Sequence, residues 1–214
     1  MSTAHTPSIS WTGLVAVVFI IGLSSALPAA ALDADQNGHG NGASLLIDDF
    51  SSANTISALG TQWQAFTDAV MGGRSTLAAT IGETEHGHAL RLRGQVRLEN
   101  NGGFIQARLP LAQQGRFDAS DWQGVRVLAR GTPGAYALHL RSRHTWRPWQ
   151  YYSATLPITE QWQWFNIEFS AFSGQSIRRD LDLSQLSSLA LVASGEAFDA
   201  DFEVAHIEFY SPSF

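Results

Sequence analysis

From Leu45 onward, apolar and polar residues alternate with a period of two. Val125, Val127 and Ala129 interleave with Arg126, Leu128 and Arg130. Tyr136, Leu138 and Leu140 interleave with Ala137, His139 and Arg141, and Phe165, Ile167 and Phe169 with Asn166 and Glu168. Successive side chains of a strand point to opposite faces, so each run predicts a strand with one side turned to a core. The same reading predicts strands at Leu46–Phe50, Leu77–Ile81, Ala89–Arg93, Phe104–Leu109, Tyr151–Leu156, Leu189–Ala193 and Phe202–Phe209. Turn formers separate them, as in Gly131-Thr132-Pro133-Gly134. About ten short, evenly spaced strands predict an all-β domain, two antiparallel sheets packed as a jelly-roll sandwich. No long amphipathic helix interrupts them, and Asp182–Leu186 fits one short turn.

The N-terminus follows another pattern. Residues Leu14–Leu23 form an apolar run, followed by Ser24-Ser25, Pro28 and Ala29-Ala30-Ala31. A short apolar stretch closed by an A-x-A pattern predicts an export signal over residues 1–31, although no Lys or Arg precedes it. The competing expectation is an uncleaved anchor through residues 13–32, against which Pro28 and the serines count. Residues 32–44 read as a polar, glycine-punctuated linker and residues 45–212 as the folded domain. Asp33-Ala34-Asp35-Gln36-Asn37-Gly38 opens like an EF-hand loop. Its twelfth position is Ser44, where calcium needs a bidentate Glu, so a spacer is expected. The protein is therefore expected in the periplasm or secreted, touching a membrane only through residues 13–32 if these are retained.

Charge and chemistry narrow the function further. The formal net charge is −6, and all 13 basic residues are Arg. An acidic chain without a basic tail argues against nucleic acid as a partner. No cysteine is present, which removes disulfides and thiolate metal sites. Asp48 and Asp49 are strand neighbours that point to opposite faces, so they do not make an acid–base pair. No G-x-S-x-G elbow or phosphate-cradling loop occurs, and the histidines stand singly. The expectation is a protein without catalysis, cofactor or metal. Asp48, Asp49, Asp180, Asp182, Asp199 and Asp201 are oxygen donors for a structural calcium ion, but solvated carboxylates are the commoner outcome.

Two constellations are candidates for binding. Asp68-Ala69-Val70-Met71-Gly72-Gly73-Arg74-Ser75 and Glu99-Asn100-Asn101-Gly102-Gly103-Phe104 each carry a double glycine, which suits tight turns and close backbone approach. They place Asp68, Arg74, Ser75 and Asn101 around a loop-formed site, or else serve architecture, with Asp68 capping a turn. The second constellation is the segment from His139 to Tyr152. Leu138 and Leu140 face the core, so His139, Arg141 and Arg143 are expected on the opposite side, with Trp146-Arg147-Pro148-Trp149 as a hairpin tip and Tyr151 beyond it. Indole and phenol faces stack on sugars or apolar groups, and guanidinium forks take carboxylates and carbonyls. The competing expectation folds the tryptophans back over the sheet edge.

Several ordered pieces carry a family resemblance. Trp63 precedes the Asp68–Ser75 cluster, and Asn101-Gly102-Gly103-Phe104 is followed by Arg108. Asp121-Trp122-Gln123-Gly124-Val125 leads to Arg130-Gly131, then Tyr136 and Tyr152. Trp162, Phe165-Asn166-Ile167-Glu168-Phe169 and Phe172 come next, and Phe202, Val204 and Ile207 close the domain. From Leu45 to Tyr210 the chain resembles the NADH:ubiquinone oxidoreductase (complex I) intermediate-associated protein family. The resemblance implies a galactose-binding-like jelly roll and a non-catalytic, chaperone-like role in assembly. The expected partner is then a protein, such as a membrane-complex assembly intermediate. The alternative expectation is a carbohydrate-binding module of the cell envelope.

Overall fold

A computed structural model describes residues 43–211. The expected signal, the linker up to residue 42 and the last three positions lie outside the described residues. Twelve strands run in the order β1 (Ser44–Asp48), β2 (Gln64–Thr67), β3 (Thr76–Thr84), β4 (Gly87–Val96), β5 (Phe104–Pro110) and β6 (Gly124–Gly131). They continue with β7 (Tyr136–Ser142), β8 (Tyr151–Thr155), β9 (Gln163–Glu168), β10 (Ser173–Gln175), β11 (Leu186–Ser194) and β12 (Phe198–Tyr210). The strands form two sheets. One has the order β3-β4-β12-β6-β9 with β1 also on β12, and the other has the order β10-β8-β7-β11-β5-β2. Every pairing is antiparallel.

The period-two pattern decides what lies between the sheets. Tyr136, Leu138 and Leu140 of β7 are buried together with Ile105, Ala107 and Leu109 of β5. They meet Val125 and Val127 of β6 and Phe202, Ile207 and Phe209 of β12, in one continuous apolar cluster. Phe117 stacks on Phe209 at 5.2 Å between ring centres. Each such aromatic burial removes much apolar area from water and is worth about 2 kcal/mol or more. Among the described residues the strands pair with one another and share one apolar cluster, so this span is expected to fold on its own.

The ten expected strands all form, with ends shifted by a few residues. β2 and β10 were not expected. Ser173-Gly174-Gln175 has no alternation at all, and it becomes a strand by pairing with β8. The short turn expected at Asp182–Leu186 is a 3-10 turn at Leu183–Gln185. β12 carries an irregularity between Val204 and His206 that lengthens the strand without breaking its pairing to β6. Among the described residues no helix is long and apolar enough to cross a membrane.

Candidate binding surface

The two glycine clusters are joined by one carboxylate. Asp68 is fully buried, in a 3-10 turn ended by Gly72 at φ 87°. Its Oδ1 accepts the Ser75 N–H at 3.0 Å, and its Oδ2 accepts the Ser75 hydroxyl at 2.6 Å and the Gly103 N–H at 2.5 Å. Burial pushes this carboxyl up, but the donors outweigh it and hold it below the usual carboxylate range. A Cβ on Gly73 or on Gly102 would overlap the Asp68 side chain, so the glycines are required by its position. Gly103, at φ 124°, presents its N–H from a conformation that side chains rarely adopt. Asp68 and Ser75 thus spend their polar atoms on the fold. Arg74 is exposed beside them. The Asn101 side chain is outside the described positions.

The hairpin β7–β8 ends in the expected tip. Trp146 is 86% exposed and Trp149 54%, so neither folds back over the sheet edge. Arg141 holds this tip from below: its guanidinium donates to the carbonyls of Arg147 at 2.6 Å, Pro148 at 3.3 Å and Thr145 at 3.4 Å. Gln150 accepts the N–H groups of Trp146 and Arg147, both at 3.1 Å, and donates to the Ser176 carbonyl at 3.2 Å. Arg147 lies over the Trp149 ring, 5.5 Å from its centre. Arg143 departs from the expected shared face. β7 ends at Ser142, so the chain turns there and Arg143 pairs instead with Asp182 at 2.9 Å.

The outer face of this second sheet forms a shallow trough. Ser188 and Ala190 of β11 are its floor, paired with Arg141 and His139 on one side and with Pro110 and Arg108 on the other. The floor residues are small yet buried, because the flanking side chains rise above them. One wall is a stacked pair, His139 on Tyr151, with ring centres 4.0 Å apart at 15°. Burial and the neighbouring Arg141 charge push the His139 imidazole down to about 4. The other wall is Arg108, which lies over Phe66 and donates to Gln64 at 3.2 Å. Burial, then the Arg108 charge, pushes the Arg141 guanidinium down, as expected for two cations facing across the trough. None of the six strands of this sheet contains an Asp or a Glu.

The opposite sheet contrasts with this. Its outer arginines are matched to acids: Arg91 with Asp201 at 2.6 Å, Arg130 with Glu203 at 2.8 Å, and Arg126 with Glu208. Arg130 and Arg126 also cover Trp162 and Trp164 at 4.8 and 5.1 Å. Those arginines are neutralised by carboxylates, whereas among the described residues Arg108 and Arg141 of the trough bond only neutral oxygens. Gln64 and Phe66 were missed in the sequence because β2 has no readable period, whereas Arg108 was named on its own strand and its place opposite Arg141 follows from the strand order. The six acids considered for calcium are dispersed: Asp48 accepts from Trp63 at 2.7 Å, Asp201 from Arg91 and Asp182 from Ser184 at 2.7 Å. Among the described residues no group of three or more potential metal ligands converges.

Comparison with known proteins agrees with this architecture. The family model described as complex I intermediate-associated protein 30 matches residues 49–205. No curated protein matches the chain significantly. Among solved structures, the family 11 carbohydrate-binding module of cellulosomal cellulase Lic26A-Cel5E of Clostridium thermocellum is similar in fold. It has a TM-score of 0.63 at 15% identity, covering 79% of this chain and 95% of that one. The same kind of module in complex with a β-1,3-1,4-mixed-linked tetrasaccharide gives a TM-score of 0.61 at 15% identity, over 79% of this chain and 96% of that one. The family 30 module of cellulosomal cellulase Cel9D-Cel44B, also from Clostridium thermocellum, gives 0.57 at 15% identity, over 79% and 99%. At these identities the likeness is one of fold, a galactose-binding-like jelly roll.

Proposed function

We propose that this chain, which belongs to the complex I intermediate-associated protein 30 family, is a non-catalytic binding module that contacts a protein partner during assembly of a membrane complex. The observation that carries this reading is the braced tip. Trp146, Arg147 and Trp149 stand in solvent on a loop that Arg141 and Gln150 hold in place. Trp and Arg dominate binding hot spots, and a loop ordered in advance loses little entropy on docking. The signal expected over residues 1–31 puts the partner in the cell envelope. The test is native electrophoresis of envelope membranes. The protein is expected to co-migrate with a sub-assembly, and Trp149→Ala is expected to cut that fraction at least tenfold. Unchanged co-migration of the variant removes the tip from the reading.

A second reading, carbohydrate binding in the trough, is favoured by one observation. The stacked His139–Tyr151 pair and the Arg108 and Gln64 donors flank a floor of small residues, an arrangement that suits a sugar chain. The module solved with a mixed-linkage tetrasaccharide makes β-1,3-1,4-glucan oligosaccharides the first probes. Calorimetry should then give a binding constant that is flat between about pH 5.5 and 8, because His139 with a pKa of about 4 stays neutral there. Tyr151→Ala should weaken binding at least tenfold. No heat at millimolar oligosaccharide, or a constant that titrates near the ordinary histidine value, overturns this reading.

A further inference from the structure

Three connections meet at one end of the sandwich: residues 111–123 after β5, residues 143–150 between β7 and β8, and residues 176–185 before β11. Backbone bonds hold them together. Phe117 N–H donates to the Leu186 carbonyl at 2.8 Å, and Leu186 N–H donates back at 2.9 Å. Arg143 N–H donates to the Gln185 carbonyl at 3.0 Å. Between them opens a cavity of about 600 Å³ lined by Arg116, Arg143, His144, Thr145, Trp146 and Arg179.

The charges around this cavity do not balance. The lining holds three guanidiniums and no carboxylate. Asp182, just behind it, takes Arg143 at 2.9 Å and lies 3.6 Å from the His144 ring. Among the described residues Arg116 reaches only the Gly115 carbonyl, and Arg179 reaches the His144 Nδ1 at 3.3 Å. Asp118 and Asp180 are exposed on the same connections, and neither forms an ion pair with Arg116 or Arg179 among the described residues. In a chain with a net charge of −6, this is a local excess of positive charge held on fixed backbone.

We propose that this cavity is a phosphate site, and that the phosphate it takes is the headgroup of an anionic phospholipid. A single carboxylate is saturated by one guanidinium fork, so separate unpaired forks suit phosphate, and most of all the neighbouring headgroups of a bilayer. Trp146 argues for the bilayer. Its indole is 86% exposed at the cavity mouth, with Trp149 54% exposed on the same tip. Indoles settle at the boundary between headgroups and acyl chains, and arginines beside them are drawn to anionic lipid. Trp146 belongs to both this cavity and the tip, but Arg116 and Arg179 belong to the cavity alone, and lipid contact is measurable with vesicles in the absence of any protein partner.

The test uses residues 43–214, which hold the twelve strands and the apolar cluster of the described residues and leave out the apolar N-terminal run. The protein is expected to sediment with vesicles of equimolar phosphatidylcholine and phosphatidylglycerol, to stay in solution with phosphatidylcholine alone, and to be released by salt. Tryptophan emission should shift to the blue on binding, and Trp146→Ala should remove most of that shift. The double variant Arg116→Gln, Arg179→Gln should lower partitioning about 25-fold, since each arginine near an anionic surface is worth about a factor of five. Both side chains are exposed, so the variant is expected to remain folded, which its β-type circular dichroism will report. Equal binding to both vesicles, or full binding by the double variant, overturns the proposal. Glycerol phosphate or polyglutamate in solution binding as tightly as the mixed vesicles overturns the lipid assignment.

Discussion

Asp68→Ala is expected to lower the stability of the sandwich by about 3–4 kcal/mol, and its melting temperature by roughly 10 °C. The substitution strands the buried N–H groups of Ser75 and Gly103 and the Ser75 hydroxyl, and it disconnects the two glycine clusters. Asp68→Asn should recover little, because its amide would turn N–H groups toward donors. The pH dependence follows from the depressed carboxyl. Its folded pKa lies below the unfolded value, so its contribution is fully present above the unfolded pKa near 4 and is lost as pH falls through the folded one. Thermal melts of wild type and Asp68→Asn between about pH 7 and 2 should therefore converge in acid. A constant gap across that range would show that the charge of Asp68 does not hold the loops.

Gly94→Ala is the second large effect. Gly94 on β4 pairs with Leu77 on β3, and a Cβ there would overlap the Thr76 carbonyl. The obstacle is backbone, so no rotamer change relieves it. β3 is an edge strand of its sheet and is expected to peel away, exposing Leu77, Ala79 and Ile81, which pack on the core. A loss of about 3 kcal/mol is expected, with faster amide exchange confined to residues 76–84. Gly82→Ala on β3 itself is the control. Its Cβ would meet nothing within 4 Å, so it should leave stability within about 0.5 kcal/mol. Equal stability of the two variants would refute the close approach at Gly94.

Some of this was legible before any coordinates. β7 alternates so cleanly that the sequence alone placed Leu138 and Leu140 inside and His139 and Arg141 outside. The Trp146–Trp149 tip was legible too, because Pro148 and the change of period mark the end of the hairpin. Asp68 was read either as part of a loop-formed site with Asn101 or as the cap of a turn. Its acceptance of bonds from Gly103, 35 positions away, is a long-range contact that no local pattern encodes. The trough was half visible: His139, Arg141 and Tyr151 belong to the periodic hairpin. Arg108 arrives opposite them only because β11 inserts between β7 and β5.

What the residues determine by themselves is the alternation, and with it the sandwich, since burying one face of each strand leaves few other arrangements. The cationic end and the acid-free sheet were decided by topology. Arg116, Arg143 and Arg179 lie on three separate connections, and strand order brings those connections together. Periodicity reports which side of a strand faces water. Only packing of distant strands reports which charges meet there and which are left without a partner.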